Sequence, residues 1–467
     1  MGEMRMRLRI GGGTLAGGGI ACALLLGASA QVASAQSGEV TYARDVAPIL
    51  QAKCQECHMP NSIGPFSLTN YDEVRRRARG IRAAVEDRIM PPWHINPTVG
   101  VQHFKNHRGL TDEQIQTISA WIDNGMPRGD EADLPAPREF PDFTQWQLAH
   151  QFGEPDLVVQ SEPFTLEAVT QDKWFRPVVT TGLTEERWVR AIEIKPSFPD
   201  GRRVVHHALA FLIQDERQAT TLTSTSAAGG GGLGGLGGPG GSLFMEWAVG
   251  KVGEIFPEDA GKLMLPGSQI MWEVHYHAIG DEVQDNRVEL GVWFYPEGYV
   301  PPNRTTLAML NARGESDIDI PPGEVAVTQG HMVLQRPARF ENFQPHMHMR
   351  GKAMMLEAIY PNGRKEIISV VDNFQWNWHN NYVYADGYQP LFPQGTTLII
   401  TAWHDNTPEN PNNPDPEQWV GYGDRTVDEM AHLWVDITYL SQEEFDRQQE
   451  ARRNRPAAPT PTADANH

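Results

Sequence analysis

Two kinds of hydrophobic pattern divide the chain. From about residue 38 to 135 apolar positions recur at helical spacing. In Tyr71–Arg88 they are Val74, Ala78, Ile81 and Val85, with charge on the other face, which predicts an amphipathic helix. Thr111 and Gln114 predict a capping box that opens a further helix, whose apolar face is Ile115, Ile118, Trp121 and Ile122 before Gly125. The run TYARDVAPILQAKC predicts a short helix ending at the cysteines. After a proline-rich linker at 136–154 the pattern changes. From about 155 to 440, strand-like runs such as RWVRAIEIK, RVVHHALAFLI, QIMWEVHYHAI and AHLWVDITYL alternate with Gly, Pro, Asn and Asp turns. Short strands at regular intervals predict antiparallel β-sandwiches. The length suffices for two, at 155–300 and 301–445, divided at PPNRTT. The expected fold class is therefore a small helical domain followed by two all-β domains. Residues 227–242 are glycine-rich and predict a flexible insertion, and 446–467 predict a disordered tail.

Composition adds limits. The chain has 467 residues, 40% hydrophobic and 21% charged, as in ordinary globular proteins of two or three domains. A formal net charge of −20 and the lack of a basic run argue against nucleic acid and anionic membranes as partners. At the start, Arg5, Arg7 and Arg9 precede an apolar stretch from Leu15 to Ala28 and an A-x-A site at Ala33–Ala35. These features predict a signal peptide over 1–35, and so a periplasmic or secreted bacterial protein. The stretch falls short of the roughly 20 residues a spanning helix needs, so no stable membrane insertion is expected. Cleavage after Ala35 leaves Cys54 and Cys57 as the only cysteines.

That pair belongs to Cys54-Gln55-Glu56-Cys57-His58. A zinc site would need further ligands, commonly cysteines, and none remains; a redox dithiol belongs beside a βαβ unit, which is absent here. Covalent attachment of haem c fits best, with His58 as proximal ligand, and small helices around such a motif resemble a cytochrome c. Met90, beside two prolines in RIMPPW, is the first candidate for the opposite axial position. Met126 is the second, with His94, His103 and His107 behind it. A Met/His pair suits electron transfer.

The β-rich part carries further donors. His206 and His207 are adjacent, and on a regular strand they would point to opposite faces, so one ion could take both only if the strand bends. His346 and His348 lie at i, i+2 on one strand face and can chelate directly. His275 and His277 share that spacing, and periodicity does not choose between them. Met430, in RTVDEMAHLW, would pass for a core residue if seen alone. Imidazoles with a thioether suit copper better than magnesium or calcium.

The ordered series HH, VHYH, HxH and DEM resembles the copper type II, ascorbate-dependent monooxygenases, the family of dopamine β-monooxygenase and peptidylglycine α-hydroxylating monooxygenase, over about residues 155–440. The resemblance implies two jelly-roll-like copper domains. It assigns one electron-relaying ion to His206, His207 and His275, and one oxygen-binding, catalytic ion to His346, His348 and Met430; His277 would stand behind the ligands. It also implies dioxygen, a small organic substrate and an electron donor, either an ascorbate-like reductant or a redox protein. The expected function is a haem c-containing copper monooxygenase, with a haem–copper electron-transfer or copper-handling protein as the alternative. The chain departs from the family in lacking disulfides. It also has Gln344 where the peptidylglycine branch has Arg, and His432 and Trp434 where that branch has Asn and Tyr, which argues against peptide amidation.

Overall fold

A computed structural model describes residues 39–60, 64–140, 142–197, 200–221, 241–248, 251–312 and 318–455. The expected signal peptide, the glycine-rich stretch as far as 240 and the tail from 456 lie outside the described residues. Strand makes up 36% of the structure and helix 17%, so the protein is β-rich with few helices.

The helices form where the apolar spacing predicts them. Chain from Tyr42 to Lys53 is helical, widely wound over Tyr42–Val46 and regular over Ala47–Lys53. Tyr71–Glu86 follows, with Asn70 Oδ1 accepting from Glu73 N–H at 3.1 Å. Asp112–Asp123 begins with the expected capping box, Thr111 and Gln114 each satisfying the other's backbone. Tyr42, Val46, Leu50, Val74, Ala78 and Trp121 pack into their shared core.

This helical part is not self-contained, contrary to the boundaries 38–135. Residues 93–106 leave it, and Ile95 and Phe104 form single bridges to Val371 and Tyr384. Both side chains are buried in the core of the C-terminal β-structure. The segment is too irregular to announce itself by period; Trp93 and Val101 pack beside the two buried residues, and the Asn96, Val101 and Lys105 N–H groups donate to Val370, Ile368 and Val383. Nor is 136–154 a free linker. Trp146 and Leu148 are buried against Ala191 and Trp293, and Glu193 accepts both the Gln147 and Leu148 N–H groups at 2.9 Å.

The β-structure has two hydrophobic cores but one long sheet. Strands Leu157–Gln160, Val288–Phe294, Arg187–Pro196 and Ala260–Met264 continue into Asn303–Asn311, His432–Tyr439, Ala338–Phe340 and Leu391–Phe392. The first core lies between the N-terminal half of this sheet and a smaller sheet containing Val205–Ile213 and Gln269–Tyr276. The second lies between the other half and the sheet of Val325–Val333, Thr397–Asp405, Gly351–Ile359 and Lys365–Val371. The expected division at PPNRTT thus separates the cores and not the sheet, because Asn303 and Arg304 pair in parallel with Ala260 and Gly261. Pro301 and Pro302 directly precede the strand, where their missing N–H groups do not prevent the next residues from bonding across. The expected disordered tail also needs correction. Gln442–Arg453 is a helix, capped by Ser441 Oγ on Glu444 N–H and anchored by buried Phe445. Its polar composition hid it, although Gln, Glu and Arg are good helix formers.

Candidate metal centres

His206 and His207 reach one point because their strand bulges. Val205–Ile213 pairs with Gln269–Tyr276 so that His207 faces His275, while the next pair is Val205 with Tyr276, leaving His206 as the extra residue. A bulge puts two consecutive side chains opposite one and re-aims them, which removes the objection from strand alternation. The Nδ1 atoms of His206 and His207 lie 3.1 Å apart. One ligand nitrogen from each of His206, His207 and His275 falls within 4.8 Å of the others. Trp174 stacks on His275 with centroids 4.4 Å apart. His275 Nδ1 has no hydrogen-bond partner, and Nε2 lies 3.1 Å from Asp172 Oδ2 without hydrogen-bond alignment. Asp172 also binds His277 Nδ1 at 2.9 Å, and that ring is exposed. The structure therefore brings His275 to the cluster and leaves His277 behind Asp172.

His346 ends the strand Asn342–His346, so His348 sits in the following turn and not on the strand as expected. The two rings still approach, with centroids 5.3 Å apart. His348 Nδ1–H donates to Asp428 O at 3.0 Å, which leaves Nε2 as the free ligand atom. Glu429, fully buried, accepts the N–H groups of His348 at 3.0 Å and Arg350 at 2.6 Å. Burial pushes its carboxyl up to about 8. The DEM stretch is thereby tied to the HxH turn. Met430 is half-buried in this connection, and its carbonyl accepts from His404 Nε2 at 3.2 Å.

Three histidines that the resemblance does not assign as ligands stand here as well. His379 Nδ1 lies 3.0 Å from His346 Nδ1, and its ring centroid is 5.7 Å from His206 and 5.9 Å from His207. His432 is 6.1 Å from His346 between centroids, and Trp434 stacks on His346 at 4.9 Å. His404 is fully buried, with Nδ1 unpartnered. His379 and His404 have no chelating spacing to a neighbour in sequence, and His432 has one only to Met430; the fold gathers all three.

Burial holds every ring in these clusters below the ordinary imidazole range. His206 and His404 come down to about 4, and His379 and His432 to about 3. His207 and His346 lie well below it, and His275 and His348 are also lowered. The rings are neutral near neutral pH, the form that binds a metal ion. Orphaned nitrogens, neutral rings and fixed tautomers together fit a soft or borderline cation.

At the cysteine motif, His58 Nδ1–H donates to Phe66 O at 3.0 Å and leaves Nε2 free. Gly64 is required beside it, since a Cβ there would stand 2.6 Å from Cys57 O. Cys54 and Cys57 are free thiols, and burial pushes Cys54 up to about 12. Met126 packs with Cys54 and Phe66 on the helical core, whereas Met90 lies in the turn after Tyr71–Glu86, its N–H bonded to Ala84 O. His94 is buried with Nε2 unpartnered, His107 meets the edge of Trp93, and His103 stacks on Tyr388. A cavity of about 660 Å³ runs between Ala52 and Glu56, beside the cysteines, and His379, Asn380 and Tyr384 on the β side.

No family model matches the chain, and no curated protein matches it. Solved structures give weak likenesses. Broad bean stain virus aligns at 7% identity and TM-score 0.27, over 61% of this chain and 88% of that one. Infectious bursal disease virus, Gx strain, aligns at 11% identity and TM-score 0.17, over 65% and 75%. At those scores the likenesses carry no argument about this protein.

Proposed function

We propose that this protein is an exported copper monooxygenase that hydroxylates a C–H bond of a small organic molecule, with a cytochrome c-like helical part delivering electrons. The observation that carries the reading is the cavity lined by Glu56, within the cysteine–histidine motif, on one side and on the other by His379, whose ring stands against His346, His206 and His207. His206, His207 and His275 would hold one copper, and His346, His348 and Met430 the other. Copper, when bound, supplies the one-electron redox chemistry that hydroxylation by dioxygen requires, and haem c, which Cys54, Cys57 and His58 would hold, would supply one-electron storage.

The chain's own residues do the rest. Asp172 places a carboxylate beside His275, Asp428 O fixes the His348 tautomer, and Glu429 keeps Met430 beside the HxH turn. Trp174 and Trp434 cover one face of His275 and His346 and exclude water there. Dioxygen, the organic substrate and an external reductant, ascorbate-like or a redox protein, complete the reaction. The alternative, electron transfer or copper handling without hydroxylation, is favoured by one observation: His379, whose ring lies 4.7 Å from His346, approaches His206 to 5.7 Å between ring centroids and so bridges the two sets. Oxygen uptake by the reduced, copper-loaded, haem-bearing chain across a panel of small organic substrates separates the two. Substrate-dependent uptake is expected, lost in Met430→Ala while copper stays on His206, His207 and His275. Uptake indifferent to every substrate refutes hydroxylation, and full turnover by Met430→Ala refutes the ligand assignment.

A further inference from the structure

We propose that His379 is a ligand of the metal ion held by His346, and that it joins the two histidine clusters into one array of imidazoles. The proposal rests on the copper reading above and adds a residue that the HH, VHYH, HxH and DEM series does not contain.

The first argument is spacing. Two imidazole nitrogens bound at right angles to one ion through bonds of about 2 Å lie roughly 3 Å apart. His379 Nδ1 and His346 Nδ1 are 3.0 Å apart. The His206 and His207 Nδ1 atoms, whose residues the resemblance assigns to one ion, show 3.1 Å. The two pairs share this nitrogen separation but not their ring planes, which meet at 70° in His206–His207 and at 29° in His346–His379, so binding one ion requires the His379 ring to turn; that ring makes no other hydrogen bond among the described residues. Two neutral rings with their Nδ1 atoms this close share at most one proton, whereas an ion bound by both satisfies both lone pairs.

The second argument is how His379 is held. It lies in the loop between strands Lys365–Val371 and Tyr382–Val383. Residues on its C-terminal side are anchored. Asn380 Nδ2 contacts His94 Nδ1 at 3.5 Å, Asn381 O accepts from Asn106 at 2.6 Å, and Asn381 Oδ1 accepts from Asn342 at 2.8 Å. Tyr382, fully buried, accepts the His94 N–H at 3.2 Å. Four contacts to other segments fix this loop, so the backbone that carries the ring is held in a set position, as a ligand's must be. The third argument is location. The same ring stands 5.7 and 5.9 Å from His206 and His207 and 4.7 Å from His346, between centroids, and forms part of the cavity wall. It is the point at which the first cluster, the second cluster and the cavity meet.

The test uses the full chain, titrated with Cu(I) against a chromophoric competitor and examined as Cu(II) by electron paramagnetic resonance. Wild type should bind two ions. His379→Ala and the volume-conserving His379→Gln should weaken one of them by at least roughly a hundredfold, beyond what loss of an outer hydrogen-bond partner causes. The spectrum of that ion should lose nitrogen coupling. His331→Ala, which removes an exposed histidine, should change neither value. Folded His379 variants that keep both affinities within about tenfold, with unaltered spectra, overturn the proposal and leave the copper reading standing. A wild type that takes up no copper overturns both.

Discussion

At the residue scale, the histidines matter less as isolated donors than through what holds them. His275 stands against Asp172, His348 against the Asp428 carbonyl and His404 against the Met430 carbonyl. The two carbonyl contacts select the tautomer and orient the ring, the carboxylate favours positive charge beside His275, and loss of such partners typically weakens a metal site tenfold to a hundredfold, by order of magnitude. Asp172→Ala should therefore lower copper affinity at the His206, His207 and His275 site by about that factor, with the other site unaffected. Competitive titration checks it; an unchanged pair of affinities would remove Asp172 from the site. The sequence made His206, His207, His346 and His348 visible through adjacency and alternation. Asp172 was invisible, because the residue lies about a hundred positions from the ring it holds.

At the element scale, the turn after Asn342–His346 is set by residues 404–416, HDNTPENPNNPDP, whose Asn and Pro content reads as turn-rich. Arg350 is 2% exposed. Its Nε donates to Asn406 Oδ1 at 2.8 Å, Nη1 to Val427 O at 2.9 Å and Nη2 to Asp415 O at 3.3 Å. Asn406 in turn donates to Pro321 O at 2.9 Å and Gln418 O at 2.8 Å. The HDNTPENPNNPDP stretch thus surrounds a buried cation with carbonyl dipoles and keeps the HxH turn in place. Asn406→Ala should destabilise the protein by about 3 kcal/mol, the scale of a lost hydrogen bond to a buried charge plus groups left unpaired. A denaturant midpoint equal to wild type would contradict this. Loop composition predicted the turns, but nothing in it named Arg350 as the partner.

At the scale of the whole molecule, the two β-cores are joined by buried charge as well as by the shared sheet. Lys262 lies 3.0 Å from Asp436 and 3.3 Å from Glu254, and Lys251 pairs with Glu246 and Glu254. Lys262 belongs to Ala260–Met264 and Asp436 to His432–Tyr439, so this ladder crosses the junction. Burial, with Glu254 beside it, raises Asp436 from 3.8 to about 6 despite the lysines. A raised folded-state value means that the folded protein holds this proton more tightly than the unfolded chain. The contribution is complete below 3.8, is lost as pH rises to about 6 and is flat beyond. Wild type should therefore lose stability relative to Asp436→Asn across that window and keep a constant difference above it. Denaturant midpoints measured at steps through the window check the slope; parallel curves would mean that Asp436 does not titrate there.

The sequence by itself determined the helices at Tyr71–Glu86 and Asp112–Asp123, most strand positions, and the order in which the metal-binding residue types appear. Those features are local: a period, a cap or a spacing acts within a few residues. Tertiary structure decided the rest. It inserted residues 93–106 into the second core, docked Trp146 and Leu148 on the first, and ran one sheet through a proline-marked boundary. It also bulged one strand so that His206 joined His207, and carried His379 between two clusters that are far apart in the chain. These outcomes depend on which distant surfaces bury apolar area and satisfy backbone groups together, and no window of sequence contains both partners.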